Sequence, residues 1–147
     1  MKYLAIDYGT KRIGIAISDD SGTLAFPREI ISADAQAVAK IAQIVHDEVV
    51  GEIIVGNSLT GEGKENAVMA DARAFVEKLK TYVHTEYNDT NIPISFFNEF
   101  GTTAAVLSAR AHTDGAPRRQ ASPSARDTKD LDAQAAAMLL QRYLDTR

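Results

Sequence analysis

The sequence predicts an α/β fold: a five-stranded mixed sheet, in which a three-strand meander is followed by alternating strands and helices, with helices on both faces. Three observations predict it. Residues 2–19 (KYLAIDYGTKRIGIAISD) hold two apolar runs, Tyr3–Ile6 and Ile13–Ile17, on either side of a polar turn containing Gly9. That is the pattern of a hairpin buried on both faces. Thr23–Ile31 follows closely enough to close a meander with them. Beyond it, strand-like and helical periods alternate, giving the order β-β-β-α-β-α-β-α-α, for which right-handed crossovers are expected.

Taken in order, the third strand contains Pro27, which requires an edge position or a bulge. Ala33–Val50 has Val38, Ile41, Ala42, Val45 and Val49 at helical spacing, with Ser32 or Asp34 as the expected N-cap and Gly51 as the stop. Glu52–Gly56 (EIIVG) has the β-branched bias of a central parallel strand. The polar loop Asn57–Gly63 (NSLTGEG) follows the carboxyl end of that strand, where α/β sheets place ligands, and reads either as a surface connection or as a substrate contact. Glu65–Val83 is an amphipathic helix with Val68, Ala72, Phe75, Leu79 and Tyr82 on one face, and His84–Asn91 a polar connection. Ile92–Phe97 (IPISFF) is the fifth strand, and Thr102 or Thr103 can cap a helix running to Ala111. His112–Lys129 reads as a low-order loop, with Gly115, Pro117, Pro123 and a basic middle of Arg118, Arg119 and Arg126. The last helix is Asp130–Asp145.

Composition sets the outer bounds. A chain of 147 residues fits one domain, 1–147, able to bury about two-thirds of its unfolded surface. Hydrophobic residues make up 45% and charged residues 24%, ordinary for a globular protein. The absence of cysteine excludes disulfides, thiol nucleophiles and Cys-ligated zinc. The N-terminus enters a strand directly, without the n-region, apolar h-region and cleavage site of a secretory signal, and no apolar run reaches the ~20 residues of a membrane span. The expectation is a cytoplasmic chain. A net charge of −4 leans away from a general nucleic-acid binder, although carboxylates gathered for divalent ions would make a site acidic until the ions reverse its sign.

Three acids stand where this fold would bring element ends together. Asp7 ends the first apolar run on the parity of Tyr3 and Ala5. A carboxylate there is costly unless paired or metal-bound, or it starts the turn by bonding its own backbone. Glu99 follows the fifth strand, as a turn residue, a first-turn acid or a ligand. Asp132 shares an apolar helix face with Ala136, Leu139 and Tyr143, which points it toward the core, although a helix-start acid also serves the dipole. Together the three form the oxygen-donor set of a hard cation.

DYGTKRIGIAISD, IIVGNSLTGEG, NEFGTT and DLDAQAAAMLLQRYLD, in that order and spacing, resemble the YqgF/RuvX family. Its members are small ribonuclease H-like proteins described as Holliday junction resolvases and as nucleases maturing the 5′ end of precursor 16S ribosomal RNA. The resemblance covers Tyr3 to about Asp145, with the first and last motifs the most specific. It implies a ribonuclease H-like sheet and a metal-dependent nuclease whose ligand acids are Asp7, Glu99 and Asp132. Two departures stand out: the family's Asp-Glu pair with Arg-Leu after it reads Asn98-Glu99-Phe100-Gly101, and its leucine-proline-leucine-asparagine run reads Asn57-Ser58-Leu59-Thr60. The basic loop is also thinner than the family's.

The implied chemistry is in-line phosphodiester hydrolysis by two Mg²⁺ or Mn²⁺ ions about 3.5–4 Å apart, one activating water and one holding the leaving oxygen. Asp7 would bridge both ions, with Glu99 and Asp132 completing one side each. Thr10, Lys11 and Arg12 in the hairpin turn, and Arg118, Arg119 and Arg126 in the loop, either contact the phosphate backbone or are solvated. The expected partner is nucleic acid, precursor ribosomal RNA or branched DNA, and a four-way junction would favour a homodimer. Two other readings stay open. A non-catalytic RNA-binding or ribosome-maturation factor fits the altered Asn98 and Phe100. An actin-like nucleotide-binding domain fits Gly9 and Thr10, but it needs a second similar domain, more than 147 residues hold.

Overall fold

The two apolar runs at the start of the chain become β1 (Lys2–Tyr8) and β2 (Arg12–Ser18), an antiparallel hairpin in a computed structural model that describes residues 1–57, 67–89, 91–98 and 125–147. The sheet is completed by β3 (Ala25–Ser32), β4 (Val50–Asn57) and β5 (Ile94–Asn98) in the order β3-β2-β1-β4-β5. β1–β4 and β4–β5 pair in parallel. This is the predicted mixed sheet, meander first. β3 is an edge strand, and its pairing with β2 shifts register at Pro27, so both expectations for that proline hold.

Alternation along each strand divides the core into two layers. Leu4, Ile6, Ile13, Ile15, Ile53 and Val55 face α1 (Ala37–Asp47) and α2 (Ala67–Tyr87), meeting Ile41, Val45, Val76 and Leu79. Tyr3, Ala5, Ala16 and Ile54 face α3 (Ala125–Asp145), meeting Ala136, Leu139, Leu140 and Leu144. Each buried leucine of α3 contributes about 1.5–3 kcal/mol of transfer free energy. The sheet surface beneath α3 includes three small residues of the hairpin, Ala5, its partner Ala16, and Gly14. Small residues there let the helix backbone come close.

The far end of α3 is fixed by polar contacts. The Gln141 side chain accepts from the Ala25 N–H and donates to the Thr23 carbonyl, both at 3.0 Å. The Tyr143 hydroxyl donates to Glu52 at 2.7 Å, and its ring meets Tyr3 and Phe97. Burial, then the Glu52 carboxylate, pushes the Tyr143 phenol up to about 12. A folded value above the unfolded ~10 means this stabilisation is complete below pH ~10 and is lost between there and ~12. Tyr143→Phe is therefore expected to cost about 1 kcal/mol at pH 8. It should also flatten the fall in stability across that alkaline window, read by urea unfolding at pH 8 and pH 11.

Several element ends differ from expectation, each for a local reason. Ser32 belongs to β3, paired with Arg12, and Asp34 accepts from the Gln36 N–H in a turn, so α1 starts later and Gln36 occupies its N-cap without a side-chain bond. Val49, at φ 54°, ends the helical path before Gly51, which lies within β4. α2 continues through the expected connection to Tyr87, whose ring stacks on His46 at 4.3 Å, and Asn88 at φ 51° then turns the chain. α3 begins at Ala125 rather than Asp130, because residues 125–130 (ARDTKD) contain no Gly or Pro to oppose it. Arg126 consequently lies on a helix, not in a loop.

Candidate active site

Asp7 is the penultimate residue of β1, half-buried, on the same face as Tyr3 and Ala5. Its cross-strand partner is Gly14, fully enclosed in β2. Cα atoms paired in this way are about 4.5–5.5 Å apart. Above Gly14 lies α3: a Cβ built on this glycine would collide with the backbone carbonyl of Asp132. Two contacts in series therefore bring Asp132 to Asp7, although the residues come from opposite ends of the chain. Because Tyr143 sits over Tyr3 while Asp132 sits over Gly14, α3 runs antiparallel to β1, and its acid falls at the carboxyl end of that strand.

Gly14, which sets the approach of α3 to β1, was not singled out in the sequence. A signal was present, since a glycine inside an apolar, β-branched strand marks close approach of another backbone.

Arg12 completes the described site. Its position at the start of β2 gives it the parity of Gly14 and Ala16, toward α3. Its Nε donates to Asp132 Oδ2 at 3.0 Å, with the two side chains 41% and 33% exposed, so the pair stands open to solvent. The turn before it is held by the Ala33 N–H donating to the Lys11 carbonyl at 2.9 Å. Thr10 and Lys11 are exposed at that turn, beside the acids. The structure thus groups Asp7, Asp132, Thr10, Lys11 and Arg12 at the carboxyl end of β1. Glu99, Arg118 and Arg119 lie outside the described residues, as do Ser58 to Gly63; β5 ends at Asn98, one residue before Glu99. Arg126 is placed within the first turn of α3.

Among the described residues no group of three or more His, Cys, Asp or Glu is assembled to hold a metal ion. Asp7 and Asp132 lie on either side of Gly14, and carboxylate oxygens are the donors a hard divalent cation takes.

The whole chain was compared with known proteins. The family model described as "RuvX: Holliday junction resolvase" matches residues 1–146. The chain belongs to the RuvX family. A relative in Nitratidesulfovibrio vulgaris, named "Putative pre-16S rRNA nuclease", is 34% identical over 99% of this chain and 94% of its own. A relative of the same name in Leifsonia xyli is 39% identical over 97% of this chain and 84% of its own. Among solved structures, T. thermophilus RuvC in complex with a Holliday junction substrate superposes with TM-score 0.56 at 15% identity, covering 100% of this chain and 95% of that one. The fowlpox virus Holliday junction resolvase superposes with TM-score 0.55 at 13% identity, covering both chains fully. At these identities the likeness is one of fold. It bears out the ribonuclease H-like architecture of this RuvX member, a five-stranded mixed sheet with helices on both faces.

Proposed function

We propose that this RuvX-family chain is a divalent-metal-dependent nuclease that hydrolyses phosphodiester bonds beside Asp7 and Asp132, at the carboxyl end of β1. The single observation that carries this reading is the contact of Gly14 with the Asp132 backbone, which places a second acid over the residue facing Asp7. Family membership supports the reaction class, and the names of the relatives support precursor 16S ribosomal RNA as a substrate. The resolvase complexes support branched DNA as the other.

The residues divide the work as follows. Asp7, Asp132 and Glu99 would hold Mg²⁺ or Mn²⁺, two ions in the full reading, and when bound these would supply an activated water and a counter-charge for the leaving oxygen. Thr10, Lys11 and Arg12 meet the phosphate backbone at the hairpin turn, and Arg118, Arg119 and Arg126 extend that contact. Arg126 does so from the first turn of α3, where the N-terminal dipole adds to the attraction for phosphate. Two-fold pairing of chains would match the symmetry of a four-way junction.

A second reading, a ribosome-maturation factor that binds RNA without cutting it, draws on Asn98 and Phe100-Gly101 where the family pattern has Asp and Arg-Leu. One experiment separates the two. The full chain is incubated with Mn²⁺ and, in parallel, with labelled precursor 16S RNA and a four-way DNA junction. The nuclease reading expects cleavage of at least one substrate that depends on the ion and stops with a chelator. Retention of either substrate without cleavage at any Mn²⁺ concentration would favour the binding factor.

A further inference from the structure

The structure assigns Arg12 a role as a displaceable counter-ligand: its guanidinium and a divalent ion take turns on the Asp132 carboxylate. The inference rests on the metal reading above and adds a residue that sets how tightly the ion is held. Arg12 Nε donates to Asp132 Oδ2 at 3.0 Å, so it engages an oxygen that a metal would use. Both side chains are partly in water, where such pairs are weak and exchange readily. A divalent ion carries twice the charge of the guanidinium and binds without ordering a long side chain, so it wins the carboxylate when present.

The backbone of Arg12 does not move with this exchange. It is paired with Ser32 across β2–β3, and the Lys11 carbonyl before it is tied to the Ala33 N–H. A Cβ on Gly9 would collide with the Arg12 carbonyl, so the turn itself is packed tightly. Only the side chain swings. Once released, it stays on the α3 face beside the ion, where a phosphate oxygen approaching the metal would meet a planar, charged donor. Charge bookkeeping runs the same way. The guanidinium balances Asp132 until the ion arrives, and the substrate phosphate balances the guanidinium afterwards.

The test uses the full chain without nucleic acid and reads Mn²⁺ binding by titration calorimetry for wild type, Arg12→Met and Arg12→Lys. Methionine keeps an unbranched apolar stem and removes the charge; lysine keeps the charge. Removing a positive charge next to the ion and its competitor for the carboxylate is expected to tighten Mn²⁺ binding about tenfold in Arg12→Met. Arg12→Lys should stay within roughly threefold of wild type. A Mg²⁺ titration of the ¹⁵N-labelled wild type should also move the Arg12 Nε–H resonance toward its solvent-exposed position, which a brace between the hairpin and α3 would not do. Arg12→Met binding Mn²⁺ no more tightly than wild type, with the Nε–H signal unmoved, would overturn the proposal and leave Arg12 as that brace. If no variant binds Mn²⁺ at all, the metal reading fails first and this inference with it.

Discussion

Asp7→Asn is expected to abolish metal-dependent cleavage, a loss on the order of 10³-fold or more, while leaving the fold in place. The amide keeps the size of the side chain and one carbonyl acceptor, but it removes the charge that would hold the ions. The second readout is thermal. A bound divalent ion at a hundredfold excess over its Kd stabilises by about 2.7 kcal/mol, which for a domain of this size raises Tm by about 10 °C. Wild type should show that rise on addition of Mg²⁺ or Mn²⁺, and Asp7→Asn should show little of it. In chelator the variant should be at least as stable as wild type, because no bound ion is lost there and one carboxylate charge has been removed from beside Asp132. The opposite pattern, with the variant less stable in chelator and the ion indifferent to both, would make Asp7 a structural turn residue and remove the metal site.

Gly14→Ala is expected to injure stability and activity together, and Gly14→Val more so. The added Cβ meets a backbone carbonyl, which cannot rotate aside as a side chain can, so the start of α3 must lift. Overpacking of this kind costs about 1–3 kcal/mol, enough to lower Tm by several degrees. Lifting α3 also carries Asp132 away from Asp7, so cleavage at a temperature where the variant is still folded should fall by a larger factor than stability explains. Gly51→Ala is the matched control. It also places a methyl on a strand, but the atoms it meets belong mainly to the Met1 side chain, which can move. Equal effects at Gly14 and Gly51 would show that Gly14 carries no special contact with the helix.

The sheet was readable because strand parity repeats so regularly. Leu4 and Ile6 on one side, and Tyr3 and Ala5 on the other, sort into two separate layers of the core. The inward position of Asp132 was readable for the same reason, since Ala136 and Leu139 on its face are buried. Element ends were less readable, because they depend on which local hydrogen bond or packing contact wins. Asp34 offered a cap but its carboxylate closed a turn instead, and a valine, not the nearby glycine, took the left-handed position after α1. The partner of Arg12 could not be read at all, since a cross-chain ion pair leaves no periodic trace in sequence. Glu99, Arg118 and Arg119 lie outside the described residues and remain expectations from the sequence.

The docking of α3 has a consequence for when Asp7 and Asp132 can meet during synthesis of the chain. β1 and β2 are made before α3 and pair locally, with only a short turn to close. Asp132 is made long after Asp7, and its approach to Asp7 requires closure over the whole of β2 to β5. A nascent chain lacking α3 holds Asp7 and the hairpin turn but has no second acid above Gly14. The same geometry makes the pairing of the two acids depend on the first turns of α3 staying docked. Fraying of its first turns would separate the acids while Leu139, Leu140 and Tyr143 still anchor the far end, so the site can come apart without the fold doing so.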